Sequence, residues 1–123
     1  MLATICAVIP ALVMLTAPID GLALCSWYGG YFHGRLTASG AVYDQDGFTT
    51  AHKTLSFGTV IMFTYQGKGV IVTVTDRGPF IEGREFDLSR AAFAALADTS
   101  LGLIWAEWVV VWETCEPLTE GTQ

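Results

Sequence analysis

Basic residues are scarce in this chain, and their shortage argues against one class of partner. The 123 residues include six Lys and Arg against twelve Asp and Glu, which gives a formal net charge of −6 and a pI near 4.6. Proteins that bind nucleic acid present a basic face to the phosphates. The composition therefore argues against nucleic acid and against electrostatic docking on an anionic membrane, whereas a neutral polymer such as a glycan is compatible with it.

Motifs that bind metals or phosphates are also missing. The chain has two histidines and three cysteines, with no Cys-x-x-Cys or His-Glu-x-x-His spacing. Gly29-Gly30 and Gly67-Lys68-Gly69 lack the strand–loop–helix setting of a phosphate loop. We therefore expect neither a metal site nor a cofactor.

The N-terminal run of residues 2–17 is apolar apart from Thr, and at 16 residues it is short for a helix that spans a membrane. Gly21-Leu22-Ala23 then offers small residues at the positions that signal peptidase reads. We predict a secretion signal over residues 1–23, a mature domain over 24–112 and a polar tail over 113–123, with no stable membrane insertion after cleavage. No Lys or Arg precedes the apolar run, so a wrongly assigned start or an uncleaved anchor is the competing interpretation.

Cysteine usage favours export. Removal of the signal takes away Cys6 and leaves Cys25 and Cys115, which lie 90 residues apart near the two ends of the domain. We predict a disulfide between them, which in the chain-entropy model adds about 4–5 kcal/mol. Two alternatives stay open: Leu22-Ala23-Leu24-Cys25 as a lipoprotein box with a lipidated Cys25, or two buried free thiols.

Short strands separated by turn residues dominate the rest of the chain. Apolar residues at helical spacing predict a single helix over 88–97, and a long loop rich in Gly, Thr, Ser and Asp follows the first strand. The predicted strands cover residues 24–28, 59–65, 70–75 and 103–112. Many short strands with one short helix are typical of a mainly β fold, here a small closed barrel.

Two carboxylates bracket the turn that follows the strand over 70–75. The alternation of Val70, Val72 and Val74 places Asp76 on the same, core-facing side where this strand ends. Arg77 and Gly78-Pro79 then turn the chain, and Asp87 comes at the foot of the predicted helix. Turn capping by Asp76 and helix capping by Asp87 are the structural alternatives to a role in chemistry.

Seven short blocks in order resemble the rare lipoprotein A (RlpA-like) family of bacterial envelope proteins. The match covers about residues 25–111. The blocks read Ser26-Trp27-Tyr28-Gly29, His33-Gly34-Arg35, Thr37-Ala38-Ser39-Gly40, Val42-Tyr43-Asp44, Ala51-His52-Lys53-Thr54-Leu55, Asp76-Arg77-Gly78-Pro79-Phe80 and Asp87-Leu88-Ser89. The resemblance implies a six-stranded double-psi β-barrel. It also implies a lytic transglycosylase that cuts peptidoglycan glycan strands stripped of their stem peptides.

The resemblance implies a catalytic cluster of Asp44, His52 and Asp76, while a fourth family position, normally Glu, is Ala41 here. We expect Asp76 to act as the acid and base, Asp44 as its electrostatic partner and His52 as an orienting group, although an ordinary hydrogen-bonded histidine is the alternative for His52.

The remaining predicted residues bind substrate: Trp27, Tyr28 and Tyr43 as a stacking surface for sugars, Arg77 pointing outward or onto substrate, and Asp87 where related barrels keep a cleft acid.

Two functions follow from the resemblance. The first is cleavage of the β-1,4 bond between N-acetylmuramic acid and N-acetylglucosamine, leaving 1,6-anhydro ends, by a monomeric secreted or periplasmic enzyme. Loss of the Glu weakens a hydrolase more than a transglycosylase, because the 6-hydroxyl of the sugar itself replaces the second carboxylate. The second is a non-catalytic, expansin-like domain that binds glycan or loosens the wall.

Overall fold

Six strands pair around a closed ring in the computed structural model, which describes residues 19–113. In chain order the elements are β1 Gly21–Trp27, β2 Thr49–Ala51, β3 Val60–Tyr65, β4 Lys68–Asp76, β5 Phe86–Leu88, helix α1 Arg90–Leu96 and β6 Ile104–Trp112. Short 3-10 turns occupy Gly30–Phe32 and Thr99–Leu101. The prediction of a mainly β closed barrel with one short helix is confirmed.

The ring order is β1-β5-β2-β4-β3-β6, so strands distant in sequence become neighbours. β1 runs parallel to β5 and β2 runs parallel to β4, while the other four pairings are antiparallel. Parallel neighbours need crossover connections, because a tight turn joins only antiparallel strands. The crossovers bring β2, β4 and β5 side by side, which places the two predicted acidic strand ends near each other.

Aromatic side chains fill the barrel and hold the helix against it. Phe63 and Phe86 meet edge to face at 4.8 Å between ring centroids, and both are fully buried, as is Phe93 of α1. The helix begins where Ser89 Oγ accepts a hydrogen bond from Ala92 N at 3.2 Å. The same hydroxyl donates to Gly47 O at 2.6 Å. Ser89 therefore caps the helix and ties it to the long loop.

The first strand begins earlier than predicted, at Gly21 rather than at residue 24. Gly21, Leu22 and Ala23 pair with β6, and Ala23 is buried. A Cβ at Gly21 would lie 3.2 Å from Nε1 of Trp108, so packing against this ring favours the small residue. The predicted boundary at residue 24 falls within β1, and the division of the chain into signal, domain and tail stays a prediction. Residues 1–18 lie outside the described residues, so the secretion signal stays a prediction.

Two strands have no counterpart in the prediction. β2 and β5 have three residues each, Thr-Thr-Ala and Phe-Asp-Leu, too few to show a period of two. Both are stabilised by neighbours on two sides of the closed ring. The helix is also shorter than predicted, because Ser89 serves as its N-cap and residues 97–98 are extended. Asp87 thus lies in β5 and does not cap the helix.

Candidate active site

A groove of about 280 Å³ opens beside the C-terminal ends of β2 and β4. Its charged lining consists of Asp76, Arg77, Arg84 and Asp87. Its other lining side chains are largely apolar or aromatic, contributed by Tyr28, Phe32, Ala51, Pro79, Phe80 and Ile81. Concave surfaces with few, convergent polar groups are the usual form of a ligand site.

Ala51 lies opposite both acidic residues in the barrel. It pairs with Asp76 across the parallel β2–β4 ladder and with Asp87 across the antiparallel β2–β5 ladder. Neighbouring strands lie about 4.8 Å apart, so the backbones of the two acidic residues lie about 10 Å apart across the sheet. The register of the β2–β4 ladder shifts between Thr50 and Ala51, immediately before the pairing with Asp76. The methyl group of Ala51 leaves the space between the two carboxyl groups open.

The Asp76 carboxyl group accepts every hydrogen bond that the structure gives it within residues 19–113. Oδ1 accepts from Ala38 N and from Arg77 N, each at 2.9 Å, and Oδ2 accepts from Tyr28 Oη at 3.4 Å. Two main-chain N–H groups and one hydroxyl therefore hold this carboxyl group in place at the end of β4.

Asp87 has the surroundings expected of a protonated acid. Burial raises the pKa of Asp87 from its ordinary value of 3.8 to about 6, because desolvation disfavours the charged form, and the negative charge of Asp76 adds a smaller contribution. The hydrogen bond from Ser26 Oγ to Oδ1, at 3.1 Å, and the charge of Arg84 oppose the shift. Because Ser26 occupies Oδ1, the other oxygen is free to hold a proton near neutral pH.

Asp44 is not in hydrogen-bond contact with Asp76. It is exposed, and its Oδ1 accepts from Asp46 N at 2.9 Å, which caps its own turn. Ala41 is likewise exposed, and its carbonyl accepts from Thr37 N at 2.8 Å and Thr37 Oγ1 at 2.7 Å. Neither position lines the groove.

His52 follows β2 and contacts Asp76 through the backbone only, with His52 N donating to Asp76 O at 3.2 Å. Its ring is buried, and Nδ1 accepts from Thr54 N and Leu55 N, each at 3.1 Å. In the neutral ring the proton is then on Nε2, which lies 3.3 Å from Glu85 Oε2. His52 therefore connects the loop after β2 to Glu85 and is not among the residues that line the groove.

Arg77, predicted to bind substrate, lines the groove, and its guanidinium is also held by the loop that follows His52. Its Nη1 donates to the carbonyls of Leu55 at 2.8 Å and His52 at 3.3 Å, and its guanidinium lies 3.9 Å from the ring centroid of Phe57. A guanidinium has several donors and a flat face, so one side chain satisfies loop carbonyls and an aromatic ring together. Arg77 stabilises the loop that follows His52.

The predicted aromatic platform is largely built into the fold. Tyr28 and Tyr43 stack on each other at 4.4 Å, and both are buried. Tyr43 Oη donates to Tyr28 O at 3.0 Å and accepts from Arg90 N at 3.2 Å. Trp27 Nε1 donates to Thr99 O at 3.0 Å, and its ring packs near Phe93. Of the three, Tyr28 alone lines the groove.

Other residues supply the accessible surfaces of the groove, and the sequence reasoning did not single them out. Phe80 is 79% exposed, and Phe32 and Ile81 are also exposed. Gly78 has a φ of +119°, a conformation that favours glycine, and the turn it makes presents Phe80 beside the two acids. An aromatic residue directly after Gly-Pro in a polar turn is a signal that could have identified Phe80. Arg84 carried no comparable signal.

The sequence of this chain matches a known protein family over most of the barrel. The family model described as "Lytic transglycolase" matches residues 23–108, most of the chain. The chain belongs to this family. The predicted membership of the RlpA-like family is thereby confirmed.

RlpA-like proteins of several bacteria are similar to this chain over the barrel. The "Probable endolytic peptidoglycan transglycosylase RlpA" of Treponema pallidum is 48% identical over 80 residues, which are 63% of this chain and 25% of the relative. The "Endolytic peptidoglycan transglycosylase RlpA" of Neisseria meningitidis is 49% identical over 79 residues, 63% of this chain and 33% of the relative. The chain thus spans about a quarter to a third of the length of these curated relatives.

Solved structures support the RlpA-like fold. A Streptomyces papain inhibitor superposes with a TM-score of 0.62 at 24% identity, covering 76% of this chain and 97% of the inhibitor. An expansin of Clavibacter michiganensis superposes with a TM-score of 0.60 at 24% identity, covering 78% of this chain and 52% of the expansin. Identities this low establish the fold alone. The six-stranded double-psi barrel is confirmed.

The predicted disulfide of this RlpA-like chain stays a prediction, because Cys115 lies outside the described residues. Cys25 is fully buried in β1, and burial, with a smaller contribution from Glu85, raises the pKa of its thiol to about 12. Within residues 19–113 no helix is long and apolar enough to span a membrane. In the same range no group of three or more His, Cys, Asp and Glu side chains is placed to hold a metal ion.

Proposed function

We propose that the domain is a peptidoglycan lytic transglycosylase. Its substrate would be glycan strands stripped of stem peptides, cut between N-acetylmuramic acid and N-acetylglucosamine. The observation that carries the proposal is the pair of unlike carboxyl groups in one groove, with burial raising the pKa of Asp87 to about 6 beside Asp76, which only accepts hydrogen bonds. Acid–base pairs whose environments differ in this way are typical of sites that cleave glycosidic bonds. The names of the curated relatives support the same substrate.

In the proposed reaction Asp87 donates its proton to the bridging oxygen as the bond from that oxygen to the anomeric carbon breaks. The 6-hydroxyl of the same N-acetylmuramic residue attacks the anomeric carbon, and its proton passes to the Asp87 carboxylate. The products are a 1,6-anhydro end and a free 4-hydroxyl, and Asp87 is protonated again. No water is consumed, because the attacking hydroxyl belongs to the substrate.

We propose that Asp76 stabilises the positive charge that develops at the anomeric carbon. Its three donors keep the carboxylate fixed, so its charge is already oriented when the bond breaks. The sequence suggested Asp76 as the acid and base, Asp44 as its electrostatic partner and Asp87 as a substrate-binding residue. We propose instead Asp87 as the acid and base and Asp76 as the electrostatic partner. His52 and Arg77 would act as positioning residues, through the loop carbonyls and the backbone contact to Asp76. Asp44 would hold the turn that carries Gly47.

A second candidate function is a non-catalytic domain that binds glycan or loosens the wall. The observation in its favour is that neither Ala41 nor Asp44 adds a carboxylate to the groove lining. Binding requires only the exposed surfaces of Phe80, Phe32 and Ile81, all of which line the groove. This candidate predicts affinity for glycan strands without any new chain ends.

Product analysis separates the two functions. The full chain is incubated with purified peptide-free glycan strands, and the fragments are analysed by mass spectrometry. We expect fragments with 1,6-anhydro ends, which disappear in Asp87→Asn and fall at least about a hundredfold in Asp76→Asn. Asp46→Asn, which changes an exposed carboxylate outside the groove, is the matched control. Binding without fragments in the unchanged protein would favour the second candidate.

The dependence on pH gives an independent check of the assignment. A general acid works only while protonated, so kcat/KM should fall as the pH rises through about 6, near the raised pKa of Asp87. Activity that instead rose through this range would argue against Asp87 as the proton donor.

We also propose that the protein is exported to the cell envelope as a monomer, with residues 1–23 or a shorter segment as its signal and a Cys25–Cys115 disulfide. Peptidoglycan lies outside the cytoplasmic membrane, and disulfides persist in such oxidising compartments. Intact mass measured before and after reduction distinguishes this disulfide from free thiols and from a lipidated Cys25. Sizing of the purified protein by light scattering tests the monomer.

A further inference from the structure

The backbone of Arg84 is fixed at the entrance to β5, while within residues 19–113 its side chain has no hydrogen-bond or ion-pair partner. Arg84 N donates to Ile81 O at 3.2 Å, and Lys53 Nζ donates to Arg84 O at 3.2 Å. The next residue extends the β1–β5 pairing, with Glu85 N donating to Leu24 O at 2.9 Å. The position of Arg84 is therefore set by main-chain contacts that a change of its side chain leaves intact.

Arg84 lines two neighbouring cavities. It lines the groove that holds Asp76 and Asp87, and it also lines a neighbouring cavity of about 370 Å³ beside His52 and Lys53. Within residues 19–113 the structure gives the Arg84 guanidinium no hydrogen bond and no carboxylate within 4.0 Å, although the residue is partly buried. A partly desolvated cation without a partner is costly, and a ligand that supplies an anion removes that cost.

Other arginines of the chain are engaged elsewhere. Arg77 also lines the groove, but its Nη1 donates to the loop carbonyls and its face covers Phe57. Arg90 lies 3.6 Å from Asp46, and Arg35 covers Tyr31. Arg84 is thus the groove arginine whose charged end is available to a ligand.

Position and charge together indicate the kind of ligand. The groove contains two carboxyl groups, and the chain has a net charge of −6, so an anionic ligand would be repelled without a local cation. The charge of Arg84 reaches Asp87 strongly enough to lower its pKa. An anionic group held by Arg84 would therefore lie next to the proposed proton donor.

We propose that Arg84 binds the free lactyl carboxylate of the N-acetylmuramic residue in the groove and so selects strands that carry no stem peptide. This inference rests on the proposed function, since it assumes that the groove binds peptidoglycan glycan. An unsubstituted lactyl group ends in a planar carboxylate, which matches the paired donors of a guanidinium. When a stem peptide is attached, the same carbon is a neutral amide and this pairing is lost.

Binding to two forms of one polymer tests the proposal without requiring turnover. Peptide-free strands are compared with the same strands after their lactyl carboxylates have been converted to methylamides, and the affinities are measured by isothermal titration calorimetry. We expect the unchanged protein to prefer the free carboxylate about tenfold or more, because hydrogen bonds between charged groups are the stronger class. Raising the salt concentration should reduce that preference.

Two substitutions assign the preference to this residue. Arg84→Gln should bind both polymers alike and bind the methylamide form as the unchanged protein does. Arg90→Gln removes the same charge outside the groove and should keep the preference. A thermal unfolding midpoint within about 2 °C of that of the unchanged protein confirms that Arg84→Gln is folded.

The outcomes separate this inference from the proposed function. The role of Arg84 is overturned if the preference for the free carboxylate persists in Arg84→Gln. It is also overturned if the unchanged protein binds both polymers equally, even where anhydro products form. A preference lost in Arg84→Gln supports the role of Arg84 even where no cleavage occurs, in which case the transglycosylase proposal fails alone. Absence of binding to either polymer overturns both.

Discussion

Replacing Asp87 by Asn should stabilise the domain while it abolishes cleavage. The carboxyl group lies in β5 among groups that exclude water, and Ser26 Oγ donates to it. Asn keeps the size and an oxygen that accepts from Ser26, and it has no ionised form. The substitution therefore removes the cost of a buried charge and leaves the local contacts in place.

The size of the effect follows from the pKa of Asp87. Burial raises it from 3.8 to about 6, and each pKa unit corresponds to about 1.36 kcal/mol, so ionised Asp87 costs the folded state about 3 kcal/mol. Well below pH 3.8 the group is protonated in both the folded and the unfolded chain, and this cost is absent. It grows as the pH rises towards 6 and is nearly constant above 7. Asp87→Asn should thus gain stability over the unchanged protein only as the pH rises.

Urea unfolding followed by tryptophan fluorescence measures the difference. Both proteins are unfolded at intervals between pH 4 and pH 8, and the change in their free-energy difference across this range is the quantity of interest. For a slope of about 1.5 kcal/mol/M, a 3 kcal/mol gain moves the urea midpoint up by about 2 M. Other titrating groups contribute equally to both proteins and cancel. Asp46→Asn, an exposed position, provides the baseline.

A free-energy difference that stays constant from pH 4 to pH 8 would refute this reasoning, because Asp87 would then titrate alike in the folded and unfolded chains. Asp87→Asn should also lose cleavage activity at every pH. Stabilisation accompanied by full activity would separate the buried acid from the chemistry and contradict its assignment as proton donor.

Three further substitutions test the groove and its support. Phe80→Ala removes a ring that is 79% exposed, so the free energy of unfolding should change by less than about 0.5 kcal/mol. Affinity for peptide-free strands, measured by calorimetry, should fall about two- to tenfold, and unchanged affinity would contradict a stacking role. Ala51→Val fills the space opposite both acids and should lower the free energy of unfolding, measured in urea, by about 1–3 kcal/mol. The cleavage rate should fall at least tenfold, whereas normal cleavage would show that this space is not used. Arg77→Met should lower the free energy of unfolding by about 2–4 kcal/mol, because it removes the contacts to the loop carbonyls and to the Phe57 ring. A variant as stable as the unchanged protein would show that these contacts do not stabilise the loop.

The sequence was most informative where a pattern is long enough to repeat. The alternating valines of β4 predicted its buried face and the position of Asp76 at its end. β2 and β5 are too short to carry a period, and they become strands because the closed ring places partners on both sides. The start of β1 was misjudged because Gly21 and Ala23 suit a cleavage site and also suit packing beneath Trp108 and inside the barrel.

The roles of the two acids depend on neighbours that are remote in sequence. Tyr28 and Ala38 supply donors to Asp76 from 48 and 38 residues away, and Ser26 reaches Asp87 from 61 residues away. No local pattern indicates which carboxyl group is desolvated and which is surrounded by donors. Similarly, Arg77 turns inward because Phe57 and two loop carbonyls lie beside it, and the sequence places these groups about 20 residues away.

The placement of Ala51 opposite both acids has a consequence for how this barrel can diversify. The spacing of the acid pair is determined by two steps of main-chain pairing, from β4 to β2 and from β2 to β5. It does not depend on the loops that carry Phe32, Phe80 and Arg84. Those loops are therefore free to change in length and composition, and with them the polymer that is bound, while the sheet keeps the distance between the proposed proton donor and the proposed charge stabiliser unchanged.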